Sequence, residues 1–176
     1  MQKGEALILT KPLGTGTLFA ADMQHKARGT WINWALASMK QSNMSALNIL
    51  QEHQVTACTD VTGFGLAGHL LEMTAACGLG ASLKLDDLPV LEGSVDTIQG
   101  MGIRSTLHQG NRESAFFVPD FEHIKFELLF DPQTSGGLLA SIPARLAEKC
   151  VQALREHGYT SAACIGTVKR DGLMLE

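Results

Sequence analysis

Ala57-Cys58-Thr59-Asp60-Val61-Thr62-Gly63-Phe64-Gly65-Leu66-Ala67-Gly68-His69-Leu70 is the stretch on which the fold turns. Val55 to Asp60 reads as a short strand and Val61 to Gly65 as a turn. Leu66, Leu70 and Met73 mark the buried stripe of a helix that stops near Gly78. A carboxylate at a strand end, followed by hydroxyl and glycine positions, has the composition of a magnesium and phosphate corner. Magnesium is held by one or two carboxylates together with substrate phosphates and water. Asp60 can supply one such ligand, with Thr59, Thr62, Gly63 and Gly65 beside it. An aspartate here can equally cap the turn, and the residues alone leave both readings open. Cys58, two positions before Asp60, shares its side of the strand. His69 has no carboxylate placed to make a triad with it and reads as a helix-surface histidine.

Gly63-Phe64-Gly65-Leu66-Ala67-Gly68 also matches G-x-G-x-x-G, and Asp86 and Asp87 lie about 20 residues further on, as in a dinucleotide-binding fingerprint. Against an oxidoreductase domain of that kind, Asp60 would stand near the pyrophosphate, and the rest of the chain does not continue as regular βα units.

Outward from this stretch, Ala6 to Thr10 reads as a strand broken by Pro12-Leu13-Gly14-Thr15-Gly16. One long helix is predicted from Leu18 to Met39 and a second from Ser45 to Glu52. Strands are predicted at Ala81 to Leu85, Phe126 to Phe130, Leu138 to Ile142 and Ala162 to Val168. A helix lies between Pro143 and Gly158, with Leu146, Cys150, Val151 and Leu154 on its buried face. Leu88 to Asp120 reads as a long loop with one short helix near Val95 to Met101. This mixture, without strict alternation, predicts an α+β fold, a mixed sheet with helices packed on it, as a single domain over residues 1–176.

Two further loops carry ligand-friendly residues. In Lys11-Pro12-Leu13-Gly14-Thr15-Gly16, glycines at a strand-to-helix junction let backbone N–H groups approach an anion, and Lys11 adds charge. A tight turn with a surface lysine has the same composition. Asp131-Pro132-Gln133-Thr134-Ser135-Gly136-Gly137 is a polar, glycine-ended loop between apolar segments, suited either to binding or to a stable turn.

Composition sets the outer limits. With 45% hydrophobic and 18% charged residues, the 176-residue chain can bury a proper core and is not disordered. The net charge is −4 and the 14 basic residues are scattered, which argues against nucleic acid as a partner. No apolar run suits a membrane span or a signal peptide, so a soluble cytoplasmic protein is expected. Cys58, Cys77, Cys150 and Cys164 show no metal-ligand spacing and read as reduced, mostly buried thiols.

The three loops, in this order, resemble selenophosphate synthetase (selenide, water dikinase), over the C-terminal half of that family. Its wider superfamily includes aminoimidazole ribonucleotide synthetase, thiamine monophosphate kinase and a hydrogenase maturation protein, and the resemblance implies the C-terminal domain fold of that superfamily. The implied activity makes selenophosphate from selenide, ATP and water, releasing AMP and phosphate, in an enzyme that dimerises through its N-terminal domain. The resemblance maps a Mg2+ ligand onto Asp60. It maps the ATP-facing edge onto Lys11, Gly14, Thr15, Gly16, Thr59, Thr62, Gly63, Gly65, Asp131, Thr134, Ser135, Gly136 and Gly137. The family's catalytic residues belong to the N-terminal domain, which has no counterpart here, so this chain alone is expected to be inactive. A non-catalytic nucleotide-binding or regulatory module of the same fold is the alternative. Gly102-Ile103-Arg104-Ser105-Thr106 departs from the proline–glycine-rich string of many members, although Asn111 matches that loop's asparagine.

Overall fold

Ala6-Leu7-Ile8-Leu9 contains no polar residue because both of its faces are buried. The computed structural model describes residues 1–116 and 118–176, and there this segment is β1 (Ala6–Leu9) of a six-stranded sheet. Phe117, within the long loop expected from Leu88 to Asp120, lies outside the described residues. The other strands are β2 (Ala57–Asp60), β3 (Gly80–Leu83), β4 (Leu138–Ile142), β5 (Ala163–Lys169) and β6 (Leu173–Leu175). They are ordered β2-β4-β1-β5-β3-β6, and every neighbouring pair is antiparallel except β3 with β6.

Side chains alternate across a strand, so β1 feeds two cores. Leu7 and Leu9 join Leu83, Leu139 and Ile165 on one face, which α4 (Gly65–Ala75) covers with Leu66, Ala67 and Leu70. Ala6 and Ile8 join Ala140 and Ile142 on the other, covered by α3 (Met44–Glu52) and α6 (Ala147–Glu156) through Ile49, Leu50, Cys150 and Leu154. The predicted mixed sheet with packed helices is what forms. Beside it, α1 (Thr15–Met23) and α2 (Gly29–Lys40) share a small core of Leu18, Trp31, Ala35 and Leu91.

The structure corrects several expectations. The single helix from Leu18 to Met39 is two helices, because His25 adopts a left-handed conformation (φ 57°) that ends α1. Phe126–Phe130 is not a strand but a 3-10 turn. Four of its five side chains are buried together, and Phe126 meets Phe130 edge-on at 5.4 Å, so the segment packs as a helical knot rather than alternating. The expected long loop contains α5 (His108–Ser114), and the short helix near Val95 to Met101 is a π-helical turn, Asp96–Gly100. β6 has no counterpart in the sequence reading, since three residues carry no period. The four cysteines are free, but only Cys150 is buried; Cys58, Cys77 and Cys164 are exposed.

Leu139 is fully buried at the middle of the sheet, paired with Leu9 on one side and Thr59 on the other. Leu139→Ala is expected to cost about 2–5 kcal/mol of stability in urea unfolding, the range for a leucine cavity that cannot collapse. A loss below about 1 kcal/mol would contradict the two-faced packing of β1 and β4.

Candidate functional site

All three ligand-friendly loops leave the same end of the sheet, and they are tied to one another. β1 runs into Thr10–Gly14 and then α1. β2 runs into Val61–Phe64 and then α4. The 3-10 turn ending at Phe130 runs through Asp131–Gly137 into β4. Val61 N–H donates to Gly137 O at 2.9 Å, Gln133 N–H to Thr62 O at 2.9 Å, and Thr10 N–H to Leu138 O at 3.0 Å. Asn111, the residue matching the family's asparagine, donates its Nδ2 to Gly63 O at 2.8 Å and Phe130 O at 3.0 Å.

The N-terminus of α1 is where the residues suggested an anion, and the structure fills it from within. The Gln133 side-chain oxygen accepts from Gly14 N–H at 3.1 Å, Thr15 N–H at 3.2 Å and Thr15 Oγ1 at 3.1 Å. Asp131 Oδ2 accepts from Gly16 N–H at 3.1 Å and from Gln133 Nε2 at 3.0 Å. These are the orphan donors of a first helical turn, satisfied here by side chains more than a hundred residues away. A negative group at that end is also favoured by the helix dipole.

Burial dominates the chemistry of this junction. Asp131 is fully buried, and desolvation pushes its carboxyl up to about 7, against the lowering pull of Gln133 and the Gly16 and Thr17 amides. Lys11 is buried too. Its Nζ donates to Gln41 O at 2.6 Å and Ser135 O at 3.1 Å, and burial holds its pKa below the usual lysine range. Lys11 is therefore an interior strut with its charge turned onto backbone carbonyls, not a surface cation. The glycines serve close approach: a Cβ on Gly16 would lie 2.5 Å from Pro132 O, and one on Gly137 2.5 Å from Lys11 N. One on Gly136 would collide with Val61 O, while Gly14 abuts Ser94.

Above this junction lies an open groove of about 620 Å³. Thr15, Gly16, Gly63, Gln133, Thr134, Ser105 and Thr106 contribute its polar lining, and Phe19, Ala20, Met23, Met39 and Leu107 its apolar lining. Of the residues singled out in the sequence, it thus gathers Thr15, Gly16, Gly63 and Thr134. Ser135 is exposed beside it, with φ 50°, while Gly14, Asp131, Gly136 and Gly137 are buried beneath. Sequence reasoning missed Gln133 as the linchpin and Arg104, the groove's one charged lining residue among the described residues.

Asp60 lies elsewhere: it is exposed at the end of the edge strand β2, opposite Leu138, and does not line the groove. Cys58 is on its side of the strand, as the alternation required. Although Cys58 is partly open to solvent, desolvation of its thiol and then the Asp60 charge push it up to about 11, which disfavours the thiolate near neutral pH. The Asp60 carboxylate has no hydrogen-bond or ion-pair partner among the described residues, and none of them form a group of three or more His, Cys, Asp or Glu that could hold a metal. It fits one ligand of a magnesium ion and no complete site. Thr59 donates its hydroxyl to Asp60 O at 3.2 Å. Thr62 donates its N–H to His69 Nε2 at 3.1 Å. His69 is buried, not on the helix surface, with Nδ1 3.3 Å from Glu72.

The topology also removes the dinucleotide reading. That motif needs the strands flanking its helix to be parallel and close in one sheet. Here β2 and β3 are separated by β4, β1 and β5. Gly65 (φ 71°) is needed because a Cβ would lie 2.8 Å from Leu129 O, not to admit a pyrophosphate.

A three-loop junction under a two-faced mixed sheet defines a known class. Residues 2–174 match the family described as AIR synthase related protein, C-terminal domain, and the chain belongs to that family. Within the class, its similarity is to selenide, water dikinase. It is 38% identical to the Shewanella sp. protein over 96% of this chain and 47% of that one, and 37% identical to the Treponema denticola protein over 99% and 51%. The chain spans about half the length of these curated relatives. The fold is shared with E. coli HypE at a TM-score of 0.73 and 23% identity, over 99% of this chain and 47% of HypE.

Asp131 makes stability depend on pH. In the unfolded chain it loses its proton near 3.8, in the folded chain only near 7. Its contribution is complete at pH below the unfolded value and is lost as pH rises towards 7. The stability of wild type minus that of Asp131→Asn, from urea unfolding, is expected to fall by roughly 4 kcal/mol between pH 4 and 8. A difference that stays level across that range would show that Asp131 is not a buried acid.

Proposed function

We propose that this chain is the C-terminal half of a selenide, water dikinase, which forms selenophosphate from selenide, ATP and water with release of AMP and phosphate. The observation that carries the reading is the match to selenide, water dikinase along 96% of the chain at 38% identity. It includes the three loops that converge on one junction and one groove. The groove is the edge offered to the nucleotide, with its apolar lining of Phe19, Met23, Met39 and Leu107 suited to a ring and its hydroxyl groups suited to phosphate oxygens. The buried Lys11 and Asp131 hold that edge in place from beneath, and Gln133 links Asp131 to the groove that it also lines.

Asp60, exposed at the end of β2 outside the groove, is the residue of this chain that would supply one ligand to a magnesium ion, and such an ion would supply charge neutralisation to phosphates extending beyond the groove. Phosphoryl transfer is achieved mostly by positioning and charge stabilisation, and one exposed carboxylate with a groove does not complete such a centre. The nucleophile and the remaining ligands come from a second, N-terminal half, and the chain alone does not turn over. That half also carries the dimer contact.

Two experiments bear on this. The chain alone is expected to release no AMP from ATP with selenide and magnesium, whereas a fusion behind the N-terminal half of the Treponema denticola relative is expected to release AMP and form selenophosphate. A fusion that melts cooperatively yet makes no AMP, or AMP formation by the chain alone, would refute the division of labour. In an active fusion, Asp60→Asn is expected to lower the rate at least about tenfold, the scale of losing one charged ligand interaction, with an unchanged melting temperature. A wild-type rate would remove Asp60 from the metal site.

A further inference from the structure

The loop that departs from the family's string is the one that brings charge to the groove. Arg104 is 38% exposed and lines the groove, in which every other described lining residue is uncharged. Its backbone is pinned: Ile103 is buried, its N–H donates to Thr97 O at 3.1 Å, and Thr17 Oγ1 of α1 donates to Ile103 O at 2.8 Å. Its side chain is held at the base only. Nε donates to Glu127 Oε2 at 3.3 Å and Nη1 lies 3.5 Å from Gly102 O, while Nη2 has no partner among the described residues. Glu127 is fixed from behind by buried His108, whose Nε2 lies 2.9 Å from Glu127 O and 3.3 Å from Oε2. His108 is itself packed edge-on against Phe130, next to the Asp131 junction.

A guanidinium held at Nε by a carboxylate and only weakly at Nη1, by Gly102 O at 3.5 Å, keeps Nη2 and the second Nη1 hydrogen available to a phosphate. The groove around it is lined by both apolar and hydroxyl-bearing side chains. On the reading of the groove as the nucleotide-facing edge, we propose that Arg104 is its phosphate-contacting residue, with Glu127 as the positioning residue that aims it. The ligand class is an organic polyphosphate carrying a ring.

The test is an NMR titration of the isotope-labelled chain with sodium tripolyphosphate and, separately, with adenosine. Tripolyphosphate is expected to shift the Arg104 Nε–H and the amides of Ser105, Thr106 and Thr134 saturably; adenosine is expected to shift the methyls of Met23 and Met39. Arg104→Gln should weaken tripolyphosphate binding about tenfold or more, as for loss of a charge-assisted pair. Glu127→Ala should weaken it about threefold, and Glu127→Gln, which still accepts from Nε, should restore it to wild-type strength or better. A purely structural Glu127 would not show that rescue. Unchanged affinity in Arg104→Gln, or in Glu127→Ala, overturns the assignment of the respective residue while leaving the groove a nucleotide edge. No shift in the groove with either probe overturns both the assignment and that reading of the groove.

Discussion

The capping of α1 by Gln133 and Asp131 is the interaction on which the rest of this molecule depends. A helix that starts a short, largely buried loop after a buried strand leaves its first N–H groups in a dry place, where each unmet donor is costly. Gly14, Thr15 and Gly16 find acceptors only on the segment leading into β4. The bonds therefore join chain segments more than a hundred residues apart and fix where the loops before α1, α4 and β4 lie. The cost is a buried carboxyl with an oxygen, Oδ1, that has no partner. The helix dipole and the two donors to Oδ2, Gly16 N–H and Gln133 Nε2, offset part of that cost.

This arrangement changes what the glycine-rich strings mean. Gly16, Gly65, Gly136 and Gly137 each stand where a side chain would strike neighbouring backbone, so the loops can nest. Gly16 N–H is turned inward onto Asp131, and the Lys11 side chain is turned inward too. What reaches solvent is the rim: Thr134, Gly63, the outer face of α1 and the loop bearing Arg104. A groove built this way has a hydrogen-bonded floor and a chemically sparse surface.

Much of the architecture was legible because both sheet faces are covered. Strands such as Ala6–Leu9 and Leu138–Ile142 become unbroken apolar runs, and α6 shows a clear buried stripe of Cys150 and Leu154. Phe126–Phe130 was misread for the same reason, since a short apolar run has no period by which to tell a strand from a tight helical turn. The break at His25 carried no glycine or proline to announce it. For the groove, Thr15, Gly16, Gly63 and Thr134 were among the positions singled out, but Gln133 looked like one polar loop residue among several.

By itself, then, the sequence determined the class of fold, the three loops that matter and the family to which they belong, because apolar runs and loop strings are local properties of the chain. Tertiary structure decided the rest. Whether Lys11 and Asp131 meet a ligand or one another's loops, whether Asp60 shares the groove, and which cation enters it depend on segments far apart in sequence. Burial and hydrogen-bond satisfaction are set only when those segments meet, and they, not residue type, determine which charged groups remain free to act.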